Sequence, residues 1–364
     1  MTYLCAFGLV CVALVRILLM RHKILYSQSD EQVYRGLCEA ILEKGFAAFK
    51  QIAEFWRGDN KARWYPPPSR VLYLVIGAVA FKYAGAAPVD RFRALSWIST
   101  WSGVLATLCA GLLGCAIAGP FAGLAAGALV GMSPLVLGLG RRALVDIPAL
   151  AAQLVILVVA LAGPAWWPLL ALAITAALLI RDSIRTGLPG LLVIVVWLYG
   201  WIWLSVVWAV LLAAPLYVGL LRVSTGLWFW EFPHAFVGRV LRHKWPPKDS
   251  YAVQFCRGGL HRLLVDLLLV SPCIVILAVG TSGVLTWAAV GILLLYSVPW
   301  LEQQIRSALI VDSLLRIAVA CVLPWWALPI CLCVDLYIWY RAWWRKGIYD
   351  PSTRNLTTVL GMGK

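Results

Sequence analysis

Five long apolar blocks, 94–140, 147–180, 188–221, 260–300 and 307–340, dominate this chain, and each runs for 34 to 47 residues. A single membrane-spanning helix needs about 20, so each block is too long for one crossing and reads as a pair of spans. Turn signals fall near the middle of several: Gly119-Pro120, Gly163-Pro164, Gly280 to Gly283 and Pro324. A further run, 3–20, is followed directly by Arg21, His22 and Lys23 with no small-residue cleavage site, which reads as a retained membrane helix. The block 71–88 is shorter and carries Lys82, as a segment lying in the interface would. The expectation is an all-α polytopic membrane protein of about eleven transmembrane helices, one domain over 1–364.

Composition agrees. The chain is 62% apolar and 13% charged with a mean hydropathy of +0.86, against about 45 to 50% and about 25% in soluble domains. Soluble enzyme folds, disordered tails and nucleic-acid modules are thereby disfavoured. The excess of 31 Lys and Arg over 16 Asp and Glu gives a net charge of +15. Those charges belong in loops, where they set topology or meet anionic head groups and phosphates. If the five blocks are hairpins, segments 141–146, 181–187, 222–259, 301–306 and 341–364 emerge on one face, and 21–70 joins them. Trp166 with Trp167, Trp325 with Trp326 and Trp343 with Trp344 end hydrophobic runs, as interfacial anchors do.

The ten cysteines make no disulfide framework: eight lie in apolar runs, and Cys38 and Cys256, in loops, have no spacing that pairs them. The four histidines form no metal-ligand pattern. No Walker, GxGxxG, GxSxG or HExxH motif is present. ATP-driven transport and zinc hydrolysis have no support.

The long polar segment 21–70 holds one helical pattern. From Asp30 to Lys50, Val33, Leu37, Ala40, Ile41 and Phe46 recur at threes and fours beneath a cap-like Ser29, predicting an amphipathic helix on the membrane surface. Trp64-Tyr65-Pro66-Pro67-Pro68 stops it. Asp30 and Glu31 open this helix, where they either cap it or offer a general base or cation ligand at the bilayer surface. Asp146 ends Gly140-Arg141-Arg142-Ala143-Leu144-Val145-Asp146, either capping the next helix or forming, with its arginines, an acidic and phosphate-clamping loop. Arg181, Arg185, Arg257 and Arg306 recur at the same face. Arg262 with Asp266, Glu302 with Arg306 and Asp312 with Arg316 stand at i, i+4, where they either pair within helices or leave the arginines for phosphate; the first and last, sunk in apolar runs, favour pairing.

The order of these features resembles the GT-C membrane glycosyltransferases, in the branch of protein O-mannosyltransferases and aminoarabinose transferases. The likeness rests on a first span, Ser29-Asp30-Glu31-Gln32-Val33-Tyr34, the amphipathic helix, the proline-rich stop and Arg91-Phe92-Arg93. It continues through Ser133-Pro134, Arg142, Asp146, Pro148 and Leu178-Leu179-Ile180-Arg181, covering about the first half. The family often has a lysine before its paired prolines; here Trp64 and Tyr65 stand there, with Lys61 and Arg63 upstream.

The resemblance implies a first extracytoplasmic loop over 21–93, a second large loop over 222–259, and catalytic carboxylates at Asp30, Glu31 and Asp146. Tyr34, Arg63, Arg142, Arg181 and Arg306 would contact the donor and its phosphate. Asp30 and Asp146 are candidate ligands for Mg or Mn. The partner would be a polyprenyl-phosphate-sugar lipid among membrane lipids. The site would face outward from a prokaryotic inner or plasma membrane, although the positive-inside rule would turn this basic face inward. A carrier of lipid-linked sugars is the rival reading, since it would use the same basic groove without a base.

Overall fold

The computed structural model describes residues 2–21, 30–58, 69–181, 187–228, 259–296 and 308–341, and every regular element among them is a helix. In chain order these are α1 (Thr2–Leu19), α2 (Asp30–Lys44), α3 (Ala47–Gly58), α4 (Val71–Lys82), α5 (Pro88–Ala118), α6 (Pro120–Gly131), α7 (Pro134–Gly140) and α8 (Asp146–Ala160). They continue as α9 (Trp167–Ile180), α10 (Leu188–Tyr199), α11 (Leu204–Thr225), α12 (Gly259–Val270), α13 (Pro272–Ala278), α14 (Val284–Tyr296), α15 (Leu309–Ala320) and α16 (Ala327–Trp339). Three of them, α1, α5 and α11, are long and apolar enough to cross a membrane; α6 with α7, bent by 51° at their junction, makes a fourth if taken as one span. The remaining apolar helices are shorter.

All five long blocks break within the described residues, and where a turn signal was present the break falls on it. Gly119 shows why: its φ of 89° is open to glycine at little steric cost, and Pro120 then starts α6 with the φ a first helical residue needs. Gly163-Pro164 repeats the device between α8 and α9. Trp166, Trp201, Trp203, Trp325 and Trp326 are exposed near three of these hairpin tips, where interfacial anchors would sit.

The core is built on close backbone approach. A Cβ on Gly114 of α5 would lie 2.6 Å from the Ala122 carbonyl oxygen, and one on Gly123 of α6 would lie 2.8 Å from that of Gly111. Small residues let two helices meet at such distances, which supplies packing where lipid offers no hydrophobic gain. Leu9 of α1 fills the seam, its methyls 2.6 Å and 2.2 Å from the Cβ positions of Gly111 and Gly127. The outer face of α1, with Tyr3, Leu4, Phe7, Leu14 and Leu18, is exposed.

The amphipathic segment differs from its sequence pattern. The helix expected over Asp30 to Lys50 ends at Lys44, because Gly45 adopts a φ of 61° and turns the chain into α3. Phe46, expected on the apolar stripe, is 66% exposed. The face that packs inward is Glu31, Tyr34, Cys38 and Ile41, while Val33, Leu37 and Ala40 are only partly covered. A polar residue leads the buried stripe because α2 packs on protein, chiefly α4, and not on lipid alone.

Cys38, read as a loop residue, is instead fully buried within α2. Burial and the neighbouring Glu39 push its thiol well above the ordinary range, so it stays protonated and packs as a small apolar group. Its Sγ would lie 2.5 Å from a Cβ on Gly77 of α4. Gly77→Ala is therefore expected to force α2 off α4 and lower stability by about 1–3 kcal/mol. Thermal melting in nanodiscs checks this, and Cys38→Ala should recover most of the loss.

Candidate functional site

Three hydroxyls near the start of α5 shape the site. Ser96 Oγ donates to the Arg141 carbonyl at 2.8 Å, Ser99 Oγ to that of Leu144 at 2.8 Å, and Thr100 Oγ1 to that of Gly140 at 3.2 Å. Together they strap the end of α7 and the buried 141–145 segment, giving partners to carbonyls at the junction of α7 and α8. This fixes the directions in which Arg142 and Asp146 leave the chain.

Arg142 donates from Nε to Glu31 Oε1 at 3.0 Å. The N-cap of α8 is Val145, so Asp146 falls in the first turn and is not the cap that its sequence position allowed. Its Oδ1 accepts from Arg181 Nη1 at the end of α9, an ion pair that closes the α8–α9 hairpin. All four charged side chains are buried. Both members of each pair were among the expected site residues, and the pairings show that the ends of two hairpins and α2 share one face.

Tyr34 joins them. Its ring lies 5.2 Å from that of Tyr73 at an interplanar angle of 76°, and the Arg70 guanidinium carbon lies 5.3 Å from its centroid. Tyr73 of α4 is fully buried and stands within electrostatic reach of Arg70, Glu31 and Asp146. The Glu31–Arg142 pair thus brings the two acidic segments together, and both act electrostatically on Tyr73. At the rim, Glu39 accepts from Arg35 at 3.2 Å and Arg91 at 2.8 Å, tying α2 to the start of α5.

Ser69, Arg70 and Tyr73 were missed in the sequence, although Ser69 and Tyr73 stand at i, i+4, directly after the proline-rich stop. Asp30 begins α2 one residue before Glu31, and its side chain lies outside the described residues, as do Arg63 and Arg306. Arg185, Arg257, the Glu302 to Arg306 pair and the side chain of Arg262 also lie outside them. Among the described residues no group of three or more His, Cys, Asp or Glu is placed to hold a metal ion.

A second charged cluster lies in the other half of the chain. Arg316 of α15, fully buried, donates from Nε to Asp312 Oδ2 at 2.8 Å, the expected i, i+4 pair. Its Nη1 also donates to Asp335 of α16 and, at 3.0 Å, to the Leu129 carbonyl of α6; Nη2 donates to Ser271 Oγ at 2.7 Å. Ser133 and Ser271 each donate to Asp312, at 2.8 Å and 2.7 Å. Both serines stand at helix breaks, α6–α7 and α12–α13. Asp335 was not singled out in the sequence.

Arg16 is the other missed residue. It is fully buried in α1 and donates to the Gly131 carbonyl at 2.8 Å and the Val136 carbonyl at 3.3 Å, across the α6–α7 break, close to the Leu129 carbonyl that Arg316 meets. The negative end of the α6 dipole favours cations there.

Comparison with protein-family models, with curated proteins and with solved structures finds no match for this chain.

Proposed function

We propose that this chain is an integral membrane glycosyltransferase, moving a sugar from a polyprenyl-phosphate donor to a hydroxyl acceptor at the outer face of a prokaryotic inner or plasma membrane. In this reading the bundle has about eleven spans, with α2 as the juxtamembrane helix of the first extracytoplasmic loop. The observation that carries it is the two buried ion pairs, Glu31–Arg142 and Asp146–Arg181, which join segments distant in the chain through the 142–146 stretch. Carboxylates and guanidinium groups at the charged ends of apolar hairpins suit an amphiphilic donor whose leaving group is a lipid phosphate.

The chemistry is a displacement. A carboxylate, Asp30 in this proposal, takes the proton of the acceptor hydroxyl as its oxygen bonds the anomeric carbon. The bond from that carbon to the phosphate oxygen breaks, and the electron pair leaves with the phosphate, which the arginines stabilise. The anomeric centre inverts. Glu31 and Asp146, each held by an arginine, keep the acidic side of the site oriented.

The test is sugar transfer and donor hydrolysis by purified protein in nanodiscs. Asp30→Asn is expected to lower transfer roughly 10²–10⁴-fold, the usual contribution of a general base. Asp146→Asn should also lose most activity while eluting as folded protein. Full transfer by both variants would sink the proposal.

A carrier of lipid-linked sugars is the second reading, favoured by the two helix breaks that meet Asp312, Arg316 and Asp335. Discontinuous helices around buried charges are a transporter feature. Lipid translocation that persists unchanged in Asp30→Asn would support it over the transferase.

A further inference from the structure

Three hydroxyls beside the paired acids have no hydrogen-bond partner among the described residues: Tyr34 Oη, Ser69 Oγ and Tyr73 Oη. Their residues are 1%, 1% and 0% exposed. Buried hydroxyls almost always find partners, and leaving one unmade is costly. Three in one neighbourhood, two on facing helices and one in the turn ahead of α4, is not accounted for by packing. Phenylalanine would fill the Tyr34 and Tyr73 positions with the same ring contacts and no orphaned oxygen.

The neighbourhood is one place. Tyr34 follows Glu31 by three residues on the inward face of α2, so the two share a side of that helix, and Ser69 lies in the turn just ahead of α4, next to Arg70. The two tyrosine rings touch edge to face, and Arg70, between Ser69 and Tyr73 in the chain, lies over Tyr34. Glu31 and Asp146 also act electrostatically on Tyr73.

The chemistry of the lining distinguishes ligand classes. An oxyanion is best held by donors alone, whereas the surroundings of Tyr73 mix donors with acceptors: Arg70, and the Glu31 and Asp146 carboxylates, each already paired with an arginine. A polyol both gives and takes hydrogen bonds, so it can donate to carboxylate and phenolic oxygens while accepting from hydroxyl and guanidinium groups. We infer that Tyr34, Ser69 and Tyr73 form a polyol subsite, binding ring hydroxyls of the donor sugar and not its phosphate. The inference rests on the transferase reading and assigns the sugar to a particular part of that site. The hydroxyls are sealed between α2 and α4, so the sugar enters as these two helices part.

Stability and binding should then move in opposite directions. Tyr34→Phe, Tyr73→Phe and Ser69→Ala each remove an unsatisfied polar atom, so each unliganded variant is expected to melt at or above the wild-type temperature. Binding is followed by tryptophan fluorescence in nanodiscs with four probes: polyprenyl phosphate bearing a hexose, the same bearing a pentose, polyprenyl phosphate without sugar, and a free methyl hexoside. Each variant should lose about threefold to tenfold in affinity for the preferred sugar-bearing lipid, the worth of one hydrogen bond, and bind the sugar-free lipid as wild type does. Equal losses on both lipids would assign the hydroxyls to the phosphate and overturn the subsite. Unchanged affinity for the sugar-bearing lipid, or a lowered melting temperature, would overturn it as well. If wild type binds neither lipid but binds methyl hexoside through these hydroxyls, the subsite stands and the transferase reading fails; binding of no probe overturns both.

Discussion

Arg316→Met is expected to destabilise the folded protein by roughly 3–5 kcal/mol, the usual cost of removing one partner from a buried ion cluster. Asp312 and Asp335 would be left facing each other without a cation, at positions 0% and 1% exposed. Ser133 and Ser271 would still donate to Asp312, but the Leu129 carbonyl would lose its donor. Arg316→Lys should recover less than half of the loss. The guanidinium reaches Asp312, Asp335, Ser271 and Leu129 from three nitrogens at once, whereas an ammonium is a single point charge. Melting in nanodiscs measures both variants. The triple variant R316M/D312L/D335L is the control: an apolar replacement of the whole cluster carries no stranded charge, so it should melt well above Arg316→Met alone. If Arg316→Met melts within a few degrees of wild type, the cluster does not hold these helices together.

The parts of this fold that local pattern encodes were legible, and the parts that depend on distant partners were not. Gly119-Pro120 and Gly163-Pro164 carry their turn in two adjacent residues, so the hairpins could be read directly. Asp312 and Arg316 are one helical turn apart and declare their pairing by spacing. Asp335 is 19 residues from Arg316, on another helix, and nothing nearby marks it as a partner. Arg16 is harder still, because its acceptors are backbone carbonyls 115 and 120 residues away, and a carbonyl has no sequence signature. The candidate site divides in the same way. Glu31, Arg142, Asp146 and Arg181 stood out as charges at the ends of apolar runs, but their pairing depended on how α2 and two hairpins pack. Tyr73 lies inside an apolar helix, where a tyrosine reads as ordinary core.

Gly103→Ala is the other substitution expected to have a large effect, and the reason lies in Arg16. A Cβ at Gly103 would stand 1.9 Å from Arg16 Nη2 and 2.4 Å from Cζ, well inside contact distance. A flexible side chain could ordinarily swing aside, but this guanidinium is held by the Gly131 and Val136 carbonyls and is fully buried. Arg16 pairs with no carboxylate among the described residues, so those carbonyls are what compensates its charge. Moving it breaks the contacts that make burial tolerable, and the substitution should cost about 3 kcal/mol, the upper part of the range for overpacking. Arg16→Met alone removes the cation but orphans the Gly131 carbonyl, at about 1–3 kcal/mol. In the double variant R16M/G103A the clash is gone, so its loss should fall well short of the two single losses added together. Strict additivity in a melting-temperature cycle would contradict the glycine-lined slot. Gly140 forms another side of that slot, its Cβ position 2.7 Å from Arg16 Nη2, and the next residues are Arg141 and Arg142. A displaced Arg16 therefore presses on the segment that aims Arg142 at Glu31. Under the proposed transferase function, Gly103→Ala should accordingly depress sugar transfer at temperatures where the protein remains folded, and the double variant should restore part of it.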